Sequence, residues 1–246
     1  MSSHYLIIGG TSGIGLSVAE TLLSLGHHVF ITGRNPDKTH KKANALNVPF
    51  AVLDATDFSA VDSLFERAIN TIGVLNGVVN CAGSILIKPA HLTQQKEYDD
   101  IISMNLTTAF AITKAAGKHM TCEGGSVVLV SSAAALTGIG NHEAIAAAKA
   151  GIVGLTLSAA ATYASSHLRF NAVAPGLIET PLTVGLTTNP LSRQASLSMH
   201  ALGRLGQPQD VASAIVFFLL PNNNWITGQI MAVDGGLSVI KQKTKS

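Results

Sequence analysis

A short apolar run, Tyr5 to Ile8, ends in Gly9-Gly10-Thr11-Ser12-Gly13-Ile14-Gly15 and leads straight into a segment whose apolar residues Val18, Leu22 and Leu25 recur at helical spacing. Strand, glycine turn and helix in that order open a βαβ unit and aim the free N–H groups of a helix N-terminus at whatever sits over the turn. In such a unit Gly9 permits the tight turn, Gly13 lets the backbone approach a pyrophosphate, and Gly15 allows close packing of the helix. The spacing Gly-x-x-x-Gly-x-Gly departs from the commoner Gly-x-Gly-x-x-Gly, and a glycine turn without a ligand is the competing reading.

Further β-rich runs follow at Val29 to Thr32, Phe50 to Leu53, Val74 to Val79, Val127 to Val130, Phe170 to Val173 and Gln229 to Val233, separated by longer segments of helical period. Near-continuous apolar strands alternating with helices predict a Rossmann-type, doubly wound α/β fold: seven parallel strands with helices on both faces. A chain of 246 residues without repeats or domain-sized shifts in composition reads as a single domain, residues 1–246. Its least regular piece, residues 181–208, reads as a loop with short helices over the binding edge.

Charged residues make up only 12% of the chain and hydrophobic ones 47%, against roughly 25% charged in an ordinary soluble protein. That balance predicts an oligomer. The net charge is +2, and with the tail Lys241, Lys243 and Lys245 read as simply solvated, neither nucleic acid nor an anionic membrane is expected as a partner. The start lacks a secretory pattern, and the apolar stretch Ile152 to Ala164 falls short of the ~20 residues of a membrane span. Cys81 and Cys122 show no metal-ligand spacing, which predicts no metal site and a reducing, cytoplasmic location.

The glycine spacing, together with Asp54, Asn80-Cys81-Ala82-Gly83, Asn105, Ser132, Lys149, Asn171-Ala172-Val173-Ala174-Pro175-Gly176, Arg204-Leu205-Gly206-Gln207-Pro208, Thr227-Gly228 and Val233-Asp234-Gly235-Gly236, resembles the short-chain dehydrogenase/reductase family over nearly the whole chain. Ile8 departs from the threonine usual before the first glycine. The resemblance implies a nicotinamide dinucleotide held by Gly9, Thr11, Ser12, Gly13, Ile14, Ala82, Gly83, Lys149, Pro175, Gly176 and Ile178. It also implies that Asp54 approaches the adenine amino group, Asn80 supports the adenosine side and Thr180 reaches the nicotinamide amide. Asp57 reads as a helix cap. Where dinucleotide folds that take NAD place an acidic residue, this chain has Thr32-Gly33-Arg34-Asn35. Gly33 offers no carboxylate and Arg34 suits a 2′-phosphate, so NADP(H) is favoured and NAD(H) stays open. An ordinary exposed arginine is the other reading of Arg34.

Members of that family use asparagine, serine, tyrosine and lysine, with tyrosine and lysine four residues apart on one helix face, so that the ammonium lowers the phenol pKa. Asn105, Ser132 and Lys149 match. The residue four before Lys149 is Ile145, at the family's usual thirteen-residue separation from Ser132, and no tyrosine lies within ten residues. His142, three residues before Ile145, could supply an imidazole if the helix has begun there; the plainer reading is a loop or cap residue. Lys149 can also serve only to bind ribose, and Ser132 only to cap a strand. Tyr98 and Tyr163 are too displaced to fill the gap.

The expected pocket wall, Ser84, Ile85, Leu86, Ala134, Leu136, Leu177 and residues 182–199, is largely apolar, with Arg193 and His200 the only groups there able to carry positive charge. A small neutral substrate is expected. By resemblance the helix after Lys149 pairs with residues 99–118 across a twofold axis and the last strand forms a second interface, giving a homotetramer, with a dimer second. Three functions stand: an oxidoreductase with atypical or impaired proton transfer, a non-enzymatic nucleotide-binding sensor or scaffold, and redox-neutral elimination.

Overall fold

The computed structural model describes residues 2–241, so the tail residues Lys243 and Lys245 lie outside the described residues. All seven expected runs are strands: β1 His4–Ile8, β2 His28–Gly33, β3 Phe50–Val52, β4 Gly77–Asn80, β5 Gly125–Val130, β6 Leu168–Pro175 and β7 Ile230–Val233. They form one parallel sheet in the order β3-β2-β1-β4-β5-β6-β7. The expected fourth run begins too early. Val74 is apolar yet about half exposed, and pairing with β1 starts only at Gly77.

Side chains alternate across the sheet, and both faces are covered. Leu6, Ile8, Phe30, Val78, Leu129 and Phe170 enter one core and Tyr5, Ile7, Ile31, Val79, Val128 and Val173 the other. The first core is closed by helices α3 (Phe58–Ile72), α5 (Thr108–His119) and α6 (Glu143–Tyr163), and the second by α1 (Gly13–Ser24) and α9 (Pro208–Leu219). Asp57 caps α3 as expected, its carboxylate accepting from the N–H groups of Ser59 and Ala60 at 2.8 and 3.1 Å.

Helix α6 corrects the sequence reading. Glu143–Ser166 has a mean hydropathy of 1.6 and is long and apolar enough, by length and composition alone, to cross a membrane. Here it lies on the sheet, with Ile152, Ala159 and Ala160 in the core. The segment 181–208 contains two short helices, α7 (Val184–Thr187) and α8 (Pro190–Met199). Since the chain leaves β1 in opposite directions toward β2 and β4, a crevice opens at their carboxyl ends, and the glycine turn lies there.

Candidate functional site

The crevice is a cavity of about 380 Å³ that brings together Gly9, Thr11, Ser12, Gly13, Ile14 and Arg34 with Ala82, Gly83 and Thr180. Its shape depends on missing side chains. Gly9 has φ +77° and a Cβ there would stand 3.0 Å from the Ala82 nitrogen, while one on Gly15 would stand 2.4 Å from the Gly9 oxygen. Ser12 occupies the N-cap of α1 but its hydroxyl makes no capping bond, which leaves the N–H groups of the first turn for an anion.

At the rim, Gly33 is packed so tightly that a Cβ would meet the Thr39 hydroxyl at 2.4 Å. Arg34 is exposed and donates to the Met104 sulfur at 3.3 Å. Lys38, in the first turn of helix α2 (Pro36–Leu46), lines the same rim. The sequence reading missed both Met104 and Lys38, although Lys38 follows Arg34 by four residues. Two cations and a helix N-terminus capped by Asn35 make this rim fit for a phosphate.

Asp54 and Asn80 stand apart from the cavity lining. The Asp54 carboxylate accepts from the Thr56 N–H at 3.0 Å and hydroxyl at 2.7 Å, which hold its pKa below the ordinary value. Asn80 is buried and engaged within the protein, accepting from Ala82 N–H at 3.1 Å and donating to the Thr108 hydroxyl at 3.3 Å. It braces the turn that carries Ala82 and Gly83.

Asn105 lies in a π-helical turn, Ser103–Thr107, between α4 (Gln95–Ile102) and α5. Such turns often mark functional sites. Its amide donates to the Ile101 carbonyl at 2.9 Å and to the Ser84 hydroxyl at 3.2 Å, and accepts from the Ser84 N–H at 3.3 Å. A Cβ on Gly83 would lie 2.8 Å from the Asn105 oxygen and 3.5 Å from Lys149 Nζ. The missing side chain of Gly83 thus leaves room for both the Asn105 amide and the Lys149 ammonium. Lys149 Nζ donates to the Val130 carbonyl at 2.8 Å, and burial pushes its pKa down to about 8.

A second cavity, about 230 Å³, contains Ser132, His142, Ile145, Pro175 and Gly176. Ser132 follows β5 and its oxygen accepts from Ala134 N–H at 3.2 Å, capping a short helical turn. Ile145 is buried among Ile101, Ala144, Ala148, Leu86 and Ile102. His142 is the N-cap residue of α6 without a side-chain capping bond. Its Nδ1 lies 2.7 Å from the Gly140 carbonyl. A carbonyl only accepts, so Nδ1 carries the proton and Nε2 is left with no protein partner among the described residues.

Ile85, Ala134 and Leu177 line this cavity as expected, but Ser84, Leu86 and Leu136 do not, and Arg193 is paired with Glu179 instead. Tyr98 and Tyr163 are both absent from the lining, the latter packed against Phe170. Ile178 lines a neighbouring cavity behind His200. The role of His200 escaped the sequence reading: the ring is buried, Nδ1 donates to the Ser196 carbonyl at 2.6 Å, and Nε2 accepts from Leu177 N–H at 3.1 Å. Away from both cavities Asp62, Glu66 and His119 come together, with Asp62 already paired to Lys118 and His119.

A family model described as enoyl-(acyl carrier protein) reductase matches residues 9–238. The chain is 35% identical to a 3-oxoacyl-(acyl-carrier-protein) reductase of Thermotoga maritima over 242 residues, covering 95% of this chain and 97% of the relative. Among solved structures, NADP-bound ElxO superposes with a TM-score of 0.90 at 33% identity, covering 96% of this chain and 99% of that one. A short-chain type dehydrogenase/reductase from Mycobacterium ulcerans gives 0.93 at 30% identity, covering 97% and 92%. With the glycine turn at the sheet's switch point and likeness running almost end to end, the chain belongs to the short-chain dehydrogenase/reductase family.

Proposed function

We propose that the protein is an NADP(H)-dependent oxidoreductase for a small, uncharged carbonyl or alcohol, with proton transfer impaired at Ile145. The observation that carries this reading is that Ile145 and Ser132 line one cavity beside the glycine-turn crevice, in a chain whose relatives are oxidoreductases. Bound NADP(H) supplies or accepts a hydride.

In this reading Gly9, Thr11, Ser12, Gly13 and Ile14 hold the pyrophosphate, and Arg34 and Lys38 hold the 2′-phosphate. The NADP-bound ElxO structure supports that choice. Asp54 and Asn80 serve the adenosine side, the latter by bracing Ala82 and Gly83. Lys149 holds the ribose, while Pro175, Gly176, Ile178 and Thr180 flank the nicotinamide. Ser132 donates its hydroxyl proton toward the substrate oxygen, and Asn105 holds a water beside Lys149. Ile145 has no proton to give. His142 lines the same cavity from the entrance of that helix, and its Nε2, the ring atom without a protein partner among the described residues, is the atom placed to exchange a proton in place of the missing phenol.

Exposed Phe110 and Leu157 on α5 and α6, with open space over Gly154, support pairing through that face, and exposed Trp225 and Met231 support a second contact at β7. A homotetramer follows, with a dimer second. Both cysteines are free thiols, which fits a reducing cytoplasm. Titration with NADPH and NADH, followed by NADPH consumption over a panel of small ketones, tests the reading. Tight NADPH binding with slow turnover is expected; no binding of either cofactor would overturn it.

A further inference from the structure

Helix α8 lines the second cavity with Ser192, Ser196 and Met199. Ser192 and Ser196 are four residues apart on one helical face, His200 continues that face at the C-cap, and all three line the cavity shared with Ser132 and Ile145. Leu191, by contrast, is 83% exposed. A helix packed on protein turns its apolar residues inward; this one sends two hydroxyl residues inward beside Met199 and leaves Leu191 in solvent. His200 is fully engaged by Ser196 and Leu177. Among the described residues the hydroxyls of Ser192 and Ser196 have no protein partner, their residues being bonded only through the backbone.

Hydroxyls facing a cavity otherwise walled by Ile85, Leu177, Leu186 and Met199 take their partner from a ligand or from water. Among the described residues no Lys, Arg, Asp or Glu lines that cavity, which suits an uncharged partner. At about 230 Å³ it is smaller than the ~300 Å³ at which drug-sized sites begin.

We propose that this cavity takes a small uncharged substrate carrying two oxygen functions. The reacting carbonyl or alcohol sits at Ser132, and a second hydroxyl or carbonyl is held by the Ser192 and Ser196 hydroxyls. The inference rests on the reading of the cavity as the substrate site and narrows it from simple ketones to hydroxyketones, diketones and the related diols.

Calorimetry tests it with three probes of one carbon frame: cyclohexanone, its derivative bearing a hydroxyl across the ring, and cyclohexanedione with opposed carbonyls. Each is titrated into the protein with and without NADPH, in the parent and in S192A/S196A, where alanine preserves the helix. Two added hydrogen bonds predict that the dioxygenated probes bind the NADPH-loaded parent about tenfold more tightly than cyclohexanone. In S192A/S196A the three affinities converge. Equal affinities in the parent, a preference that survives the double substitution, or no probe binding while NADPH binds would each overturn the proposal. Failure of NADPH to bind, with the probe preference intact in its absence, would overturn the cofactor reading and leave this one standing.

Discussion

Lys149 reaches from α6 to the end of β5, where its ammonium donates to the Val130 carbonyl at 2.8 Å. That bond leaves two of its three donors free beside Gly83, and burial holds the pKa at about 8 instead of the ordinary 10.5. The charged form therefore dominates below about pH 8 and is lost above it. Since a charge-assisted bond to a ribose hydroxyl is roughly twice as strong as a neutral one, NADPH affinity falls several-fold between pH 7 and 9. Lys149→Met weakens binding at neutral pH and flattens that dependence. Fluorescence titration of NADPH across the pH range measures both effects.

Arg34 and Lys38 flank the rim where a 2′-phosphate would sit. Arg34→Ala is expected to weaken NADPH binding by about tenfold and the double variant R34A/K38A by about a hundredfold, with NADH affinity little changed, from the strength of charged hydrogen bonds. Raising the salt concentration narrows the difference, because the rim is exposed. Calorimetry with both cofactors reads this directly; an unaltered preference in R34A/K38A would remove the basis for choosing NADP(H).

On the outer face of α6 nothing among the described residues stands within 4 Å of a Cβ on Gly154, so arginine there is accommodated by the described fold and clashes with a partner pressed against that face. Gly154→Arg is expected to halve the assembled mass or reduce it to that of one chain at micromolar concentration, with NADPH binding retained. Light scattering decides it. A parent protein that is already monomeric would sink the proposed interface.

Much of the fold was legible because the signals are local. The glycine turn, the near-continuous apolar strands and the Asp57 cap each act within a few residues, and apart from the start of the fourth strand they appear where expected. Val74 misled because an apolar residue next to a strand reads as part of it, although pairing begins only at Gly77. The π turn around Asn105 has no sequence mark, since it arises from how α4 joins α5. His200 was opaque for another reason: its role depends on Leu177, 23 residues earlier, and on the bend that returns α8 to the end of β6. The inward hydroxyls of α8 could not be told from outward ones before the helix was placed.

Ile145 is the one site residue whose meaning depends most on spacing, and chemistry gives it the sharpest test. A positioned general acid contributes typically 10² to 10⁴-fold, roughly 3 to 5 kcal/mol of barrier. Ile145→Tyr is therefore expected to raise carbonyl reduction by about that range if the cavity accepts the ring. Its neighbours Ile101, Ala144, Ala148 and Leu86 close around a branched aliphatic side chain, and overpacking costs about 1 to 3 kcal/mol. Soluble expression and NADPH binding must be retained before rates are compared. The deciding measurement is NADPH consumption by the parent, Ile145→Tyr and His142→Ala over one panel of small ketones, hydroxyketones and diketones. The account predicts slow turnover by the parent, slower still in His142→Ala, and a rise in Ile145→Tyr; fast turnover by the parent, undiminished in His142→Ala, would contradict it.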